Sequence, residues 1–293
     1  TVAVYSEADR DAPHVRHADI ALCIGPAPAS HSYLDQAALL FAAAATGAQA
    51  IHPGYGFLAE NADFAARVEQ AGLVFIGPSS AAIRMMGDKV AAKRAMREAG
   101  LPCVPGPDTT LAGDPAALHA LADAIGYPLI VKAAGGGGGR GMRVVHDPAT
   151  LPDAIAVTRE EARRAFGNPE VYIEKFLAHP RHVEIQVLAD HHGTTLWLGS
   201  RDCSLQRRHQ KVIEEAPAPF LPAPLIAEIG AACVEACRRI GYRGLGTLEF
   251  LVEGDAFCFI EMNTRVQVEH TVTEMITGID LVAQQIKAAR GEA

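Results

Sequence analysis

No uninterrupted apolar run in this sequence is long enough to cross a membrane. The most apolar uncharged stretch, Gln36 to Ile51 (QAALLFAAAATGAQAI), is interrupted by Gln, Thr and Gly and falls short of the roughly 20 residues a span needs, so it reads as a buried helix. There is no basic-then-apolar signal segment. An excess of positive charge is also missing: the formal net charge is −8 with both signs interspersed, which disfavours nucleic acid and anionic membrane as partners. Cysteines are few and scattered (Cys23, Cys103, Cys203, Cys233, Cys237, Cys258). Cys233 and Cys237 lie four apart in a helical pattern, but no further Cys or His pair stands at zinc spacing, which predicts free core thiols and a reducing, cytoplasmic compartment. An initiator Met is lacking too. The opening β-branched run at Thr1–Tyr5 and the closing helical "LVAQQIKAARGEA" suggest a piece of a longer chain.

What is present is ample for a core: 293 residues, 49% of them apolar. Residues 1–76 alternate short strands (Val2–Tyr5, Ile20–Ile24, Ala50–Ile51, Leu73–Ile76) with amphipathic helices near Tyr33–Thr46 and Asn61–Gln70, the rhythm of a parallel, doubly wound sheet. Residues 77–103 read as a helical linker with an N-cap at Ser79 or Ser80. Residues 104–177 read as a small α+β unit around a glycine loop. Residues 178–293 are rich in strands, with one helix at Pro224–Ile240, and are expected to continue beyond the chain end. The fold class is therefore α/β: an incomplete doubly wound N-terminal domain followed by an α+β fold with a glycine-rich lid.

Five consecutive glycines in "VKAAGGGGGRGMRVV" are entropically costly and give nothing to a core, so a backbone open to close approach is the functional reading, with a flexible hairpin tip as the bland one. Gly136, Gly138 and Gly141 match G-x-G-x-x-G, but "MRVV" resumes a strand where the dinucleotide motif opens a helix. A Walker loop would end Gly-Lys-Ser/Thr, whereas Gly139-Arg140-Gly141 stands here, and the kinase motifs H-R-D-L-x-x-x-N and D-F-G are missing. A strand–glycine–strand flap over a triphosphate remains, with Lys132 at the strand end aimed where phosphates would lie.

In "IEMNTRVQVEH" an extended strand would put Glu261, Asn263, Arg265, Gln267 and Glu269 on one face, and Met262, Val266 and Val268 on the other. Glu249 in "GTLEFLV" is a second carboxylate in an apolar strand. If the two strands are neighbours, Glu249, Glu261 and Asn263 form an oxygen-ligand cluster suited to Mg²⁺. "RHVEIQV" places His182, Glu184 and Gln186 on one face, and Gln206, Arg207, Arg208, His209 and Lys211 form a basic cluster, either an ion-pair patch or an anion site.

These motifs, with "IHPGYGFLAEN", "FIGPSS", "MGDK" and "RDCSLQRRHQKVIEEAPAP", resemble the biotin carboxylase component of biotin-dependent carboxylases, in the ATP-grasp superfamily. The resemblance implies ATP, Mg²⁺ or Mn²⁺, bicarbonate and carrier-bound biotin as cofactors and substrates, with a biotin carboxyl carrier, a carboxyltransferase and a second copy of the chain as partners. It implies that Lys89 and Lys132 contact phosphates, with Gly138 and Gly139 closing over them. Glu174, Lys175 and Leu177, helped by His182, Gln206 and His209, would hold the adenine side. Glu249, Glu261 and Asn263 would bind the metal; Lys211, Arg265, Gln267, the Val268 backbone and Glu269 would bind bicarbonate. Glu269 would act as base and Tyr55 would lie near the biotin ring. The chain departs from the family at Ser200 (Glu expected), Phe220 (Gly) and Thr271 (Pro), with Ser200 expected to loosen the surroundings of the bicarbonate site. The family's first strand–loop–helix would precede Thr1. A later domain, with an arginine for the biotin enolate and much of the dimer interface, would follow Ala293. Two other readings stay open: an ATP-grasp carboxylate–amine ligase, and a nucleotide-binding module without turnover.

Overall fold

The structure, a computed structural model, describes residues 1–107, 109, 111, 115–135, 141–208, 210–254 and 256–293. Its first strands, β1 (Val2–Ser6) and β2 (Ile20–Gly25), pair in parallel, as do β3 (Ala50–Ile51) and β4 (Val74–Phe75). The predicted doubly wound sheet is thus present as two separate two-stranded pieces. Helices Gln36–Thr46 and Ala62–Gln70 flank them, each started by a side chain that accepts the orphan N–H groups of the first turn, Asp35 and Asn61 respectively. Phe64, Ala65, Val68, Phe75 and Ile83 form the local core.

Helices Ser80–Gly87 and Lys89–Glu98 are separated only by Asp88, whose carboxylate caps the second by accepting from the Val90 and Ala91 amides at 2.9 Å. Ile83 faces the N-terminal core while Met86, Ala92 and Met96 belong to a larger core further along the chain. This stretch, read from the sequence as a linker, therefore packs on both sides.

Next come β5 (Leu129–Ala133), β6 (Met142–Val145) and β7 (Val171–Lys175), an antiparallel sheet in the order β6–β5–β7. Leu129, Val131, Val171 and Ile173 share one face and are buried with helix residues Leu151, Ala154 and Ile155. The alternate residues Lys132, Tyr172 and Glu174 therefore face the other way. β5 and β6 are the two arms of the expected flap. Gly141 begins the return arm at φ +68, in the left-handed region, with a hypothetical Cβ only 3.1 Å from that of Ala133, so it must be glycine. Of the loop itself, Gly136 to Arg140, including Gly138 and Gly139, lies outside the described residues, as does His209.

The largest element is a five-stranded antiparallel sheet in the order β10–β9–β8–β11–β12, formed by β8 (Arg181–Ala189), β9 (Thr195–Arg207), β10 (Gln210–Glu215), β11 (Gly244–Glu253) and β12 (Ala256–Asn263). Val183, Ile185, Val187, Leu248, Phe250 and Val252 lie on one face, buried against helices Lys89–Glu98 and Ala223–Arg239. At about 1.5–3 kcal/mol for each large apolar side chain buried, this face anchors the strands. The opposite face carries Glu184, Gln186, Thr247 and Glu249, all buried.

One expectation fails. The strand predicted from Ile260 to His270 ends at Asn263, and helix His270–Thr277 starts where it should have continued. Glu60, from the N-terminal part of the chain, accepts from the Thr264 amide at 3.0 Å and from Arg265 Nε at 2.8 Å, which takes the backbone out of the sheet ladder. Alternation consequently stops, and Arg265, Gln267 and Glu269 are placed by a turn. Among the described residues no helix is long and apolar enough to cross a membrane.

Candidate functional site

Strand register sets the heart of the site. Arg201 on β9 stands opposite Glu184 on β8, Glu184 opposite Glu249 on β11, and Glu249 opposite Glu261 on β12, giving one row of charge across four strands. Like charges directly opposite each other are destabilising, so the row needs cations. Lys211 supplies the central one, donating to Glu184, to Glu249 Oε1 at 3.0 Å and to Glu269 Oε1 at 2.6 Å. Lys89 Nζ donates to Glu261 Oε2 at 2.7 Å, and His182 Nε2 lies 2.9 Å from Glu249 Oε2.

The electrostatics follow from this packing. Burial works against charge on Lys211, but Glu249 and Glu184 outweigh it and hold the ammonium well above the usual lysine range. Burial likewise pushes Glu184 up, yet His182, Arg201 and Lys211 prevail and hold it far below the usual carboxylate range. For His182 burial lowers the pKa, and the Glu184 and Glu249 carboxylates overcome it, raising the value to about 9. Glu261 is lowered in the same way, by Lys89 and Lys132 against burial.

The turn after β12 brings the remaining predicted residues to this row. Gln267 Nε2 donates to Glu249 Oε1 at 3.0 Å, Asn263 Nδ2 to the same oxygen at 2.6 Å, and Arg265 to Asn263 Oδ1 at 3.0 Å. Val268 is exposed and Glu269 nearly buried. Gln206 donates to the Cys203 carbonyl and sits 3.2 Å from His182 Nδ1. Glu261 stands opposite Glu249 in register, but Lys89 holds its carboxylate, and Asn263 turns its NH₂ to Glu249 and its Oδ1 to Arg265; carboxylate and amide oxygens of this kind suit a hard divalent cation. His182, Glu184 and Glu249 offer ligand atoms within 4.8 Å of one another as well; in the neighbouring set Glu184–Cys203–Glu269, burial drives the Cys203 thiol far up and so disfavours the thiolate a metal needs.

A second charge cluster lies where the three-stranded sheet meets helix Lys89–Glu98. Glu174, almost wholly buried, takes Lys93 Nζ at 2.7 Å on one oxygen and Lys132 Nζ at 2.6 Å on the other. Lys93 also donates to the Val104 carbonyl at 3.0 Å. Lys175 is turned away, donating to the carbonyls of Gly126 and Tyr127, and Leu177 is half-buried beyond it. Tyr55 is exposed on a loop between Gly54 and Gly56, both at positive φ.

Three participants went unnoticed in the sequence. Arg201 and Glu60 lie inside quoted motifs without being singled out, and Lys93 lies in the Lys89–Glu98 helix. Only Lys93 carried a usable signal, since it shares the helix with the buried Ala92 and Met96. The Ser200 hydroxyl accepts from the Ala218 amide at 3.1 Å, one residue away from Arg201 and on the other face of the strand. Phe220 is exposed at φ +62 with Arg181 over its ring, and Thr271 is exposed.

Comparison with known proteins bears on the family and the fold. Residues 88–293 match the carbamoyl-phosphate synthase L chain ATP-binding domain, and residues 1–83 match the biotin carboxylase N-terminal domain. The chain is 60% identical over 291 residues to the biotin carboxylase of Haemophilus influenzae, covering 99% of this chain and 65% of that protein. The chain belongs to the biotin carboxylase family. It is also 53% identical over 295 residues to the mitochondrial methylcrotonoyl-CoA carboxylase subunit alpha of Glycine max, covering 40% of that protein. Among solved structures, Campylobacter jejuni biotin carboxylase in a β,γ-ATP complex superposes with a TM-score of 0.96 at 49% identity, over 100% of this chain and 66% of that one. The biotin carboxylase domain of Hydrogenobacter thermophilus 2-oxoglutarate carboxylase, in complex with MgADP, ADP and bicarbonate, gives 0.94 at 46%, over 100% of this chain and 64% of that one. The chain thus spans about 65% of the length of the curated biotin carboxylases it matches. Its fold is α/β, with the N-terminal and ATP-grasp domains of that family.

Proposed function

We propose that this chain carries the ATP- and bicarbonate-dependent part of biotin carboxylation, as an ATP-grasp ligase acting in the cytoplasm. The observation that carries the reading is Lys211 held among Glu184, Glu249 and Glu269, with Arg265 linked to the same group through Asn263. Bicarbonate is a weak anionic nucleophile, so its attack needs charge compensation and alignment. Lys211, Arg265 and the Gln267 amide supply donors to its oxygens, and Glu269 accepts its proton. The deprotonated oxygen attacks the γ-phosphorus of ATP, the bond to the ADP oxygen breaks, and carboxyphosphate and ADP result. Carboxyphosphate divides into CO₂ and phosphate. The released phosphate takes the N–H proton of the ureido nitrogen of carrier-bound biotin beside Tyr55, and that nitrogen adds to CO₂.

Lys89 and Lys132 neutralise the phosphates. Glu249, Glu261 and Asn263 would hold Mg²⁺ or Mn²⁺, which supplies Lewis-acid neutralisation of the phosphate charge when bound. Glu174, Lys175, Leu177, His182, Gln206 and His209 would frame the nucleotide. A biotin carboxyl carrier, a carboxyltransferase and a second copy of the chain are the partners this reading requires. The test is phosphate release from Mg-ATP by this chain with and without bicarbonate. A bicarbonate-dependent rate is expected; dependence on a carboxylate plus an amine, or no rate in any condition, would replace the reading with a ligase or a binding module.

A further inference from the structure

Arg201 heads the fully buried side chains of this protein by volume, with no exposed surface. A guanidinium has five N–H donors and no acceptor, and at this depth each donor needs a partner. Nε and Nη2 donate to Glu184 Oε2 at 3.1 and 2.9 Å. Nη1 donates to Gln186 Oε1 and to Thr273 Oγ1, both at 2.8 Å. Nη2 also donates to Gln267 Oε1 at 2.8 Å and to Thr247 Oγ1 at 3.3 Å.

Two of these acceptors are glutamine amides, and a donor-only partner can engage a glutamine only through its carbonyl oxygen. Arg201 therefore fixes the sense of both amides. The Gln186 NH₂ turns to the Gly246 carbonyl at 2.8 Å, an internal tie. The Gln267 NH₂ turns to Glu249 Oε1 at 3.0 Å, the same oxygen that Lys211 contacts. Its nitrogen, not its oxygen, thus faces the ammonium-lined side of the site.

We propose that Arg201 is a positioning residue that orients the Gln267 amide as a donor toward a small oxyanion, and so sets the site's preference for an anionic substrate. This rests on the bicarbonate reading of Lys211, Arg265 and Gln267. An inverted amide would present its carbonyl oxygen to the anion and repel it. Lysine at 201 keeps the charge but loses the planar fork that holds Glu184 and two amides together.

The test is a double-mutant cycle on this chain, with bicarbonate affinity and MgATP affinity measured separately by calorimetry for wild type, Arg201→Lys, Gln267→Met and the double variant. Arg201→Lys is expected to weaken bicarbonate about tenfold or more while MgATP affinity stays within about twofold, as loss of a charge-assisted network at one subsite would do. The double variant is expected to bind bicarbonate no more weakly than Gln267→Met alone. Losses that multiply in the double variant, or equal losses for bicarbonate and MgATP, overturn the proposal and leave Arg201 a structural residue. If Arg201→Lys does not fold, Gln267→Glu decides: it keeps an acceptor for Arg201 but removes the NH₂, so retained bicarbonate affinity overturns the proposal. Wild type that binds no bicarbonate removes the underlying reading; wild type that binds, with multiplicative losses, removes this proposal alone.

Discussion

The two charge clusters are built in opposite ways. At Glu174 one buried carboxylate is clamped by two lysines, Lys93 and Lys132, so the local sum is positive. Across the five-stranded sheet three glutamates stand side by side, Glu184, Glu249 and Glu261, with Glu269 joining through Lys211. A cation excess beside a glycine flap suits polyanionic phosphates. Four carboxylates interleaved with Lys211, Arg201, Lys89 and His182 offer both oxygen ligands for a divalent cation and donors for a small anion next to it. The division of labour is between lysines that outnumber their carboxylate and a row in which carboxylates and cations alternate.

The strongest way to break this contrast is Glu249→Gln, which removes the charge shared by Lys211, His182, Asn263 and Gln267. Bicarbonate-dependent ATP hydrolysis should fall on the order of 10²–10³-fold, measured as phosphate release, with metal-free nucleotide affinity preserved. Lys132→Met attacks the other cluster and should weaken nucleotide binding about 10- to 100-fold, with the fold intact because Lys93 still neutralises Glu174. Lys93→Met should instead act on stability, costing about 1–3 kcal/mol in denaturant unfolding, since Lys132 still neutralises Glu174 but the buried Glu174 oxygen and the Val104 carbonyl lose a donor.

Acid provides a finer test. Burial raises the Glu174 pKa, but Lys132 and Lys93 outweigh it and hold it below the ordinary 4.5. A carboxylate with a depressed folded-state pKa contributes stability that is present above 4.5 and is lost as pH falls through the lowered value. Melting temperatures from pH 7 downward should therefore drop less steeply for Glu174→Gln than for wild type. The smallest effect should come from Phe220→Gly, outside both clusters. It relieves a left-handed backbone at φ +62 but gives up contact with Arg181, so stability should change by about 1 kcal/mol or less. Nucleotide and metal affinities should not move.

Legibility in the sequence followed the range of the signal. Lys132 before the glycines and His182–Glu184–Gln186 on one face needed only local periodicity. The pairing of Glu249 with Glu261 was conditional on two strands being neighbours, and the register makes them directly opposed. The strand beyond Asn263 misled, because what ends it is Glu60, some two hundred residues earlier, and no local pattern announces that contact. Arg201 was hidden for a similar reason: its partners come from β8, β11, the turn at Gln267 and the helix at Thr273, and no short motif encodes such a meeting. Lys93 is the intermediate case: its helix carries the buried Ala92 and Met96, but its partner Glu174 lies some eighty residues later in the chain.

The most direct measurement titrates metal-free nucleotide and nucleotide-free Mn²⁺ separately against wild type, Lys132→Met and Glu249→Gln. The account predicts that Lys132→Met loses nucleotide affinity and keeps Mn²⁺, while Glu249→Gln loses Mn²⁺ and keeps nucleotide. Parallel loss of both ligands in both variants would contradict it and make the two clusters one undivided site.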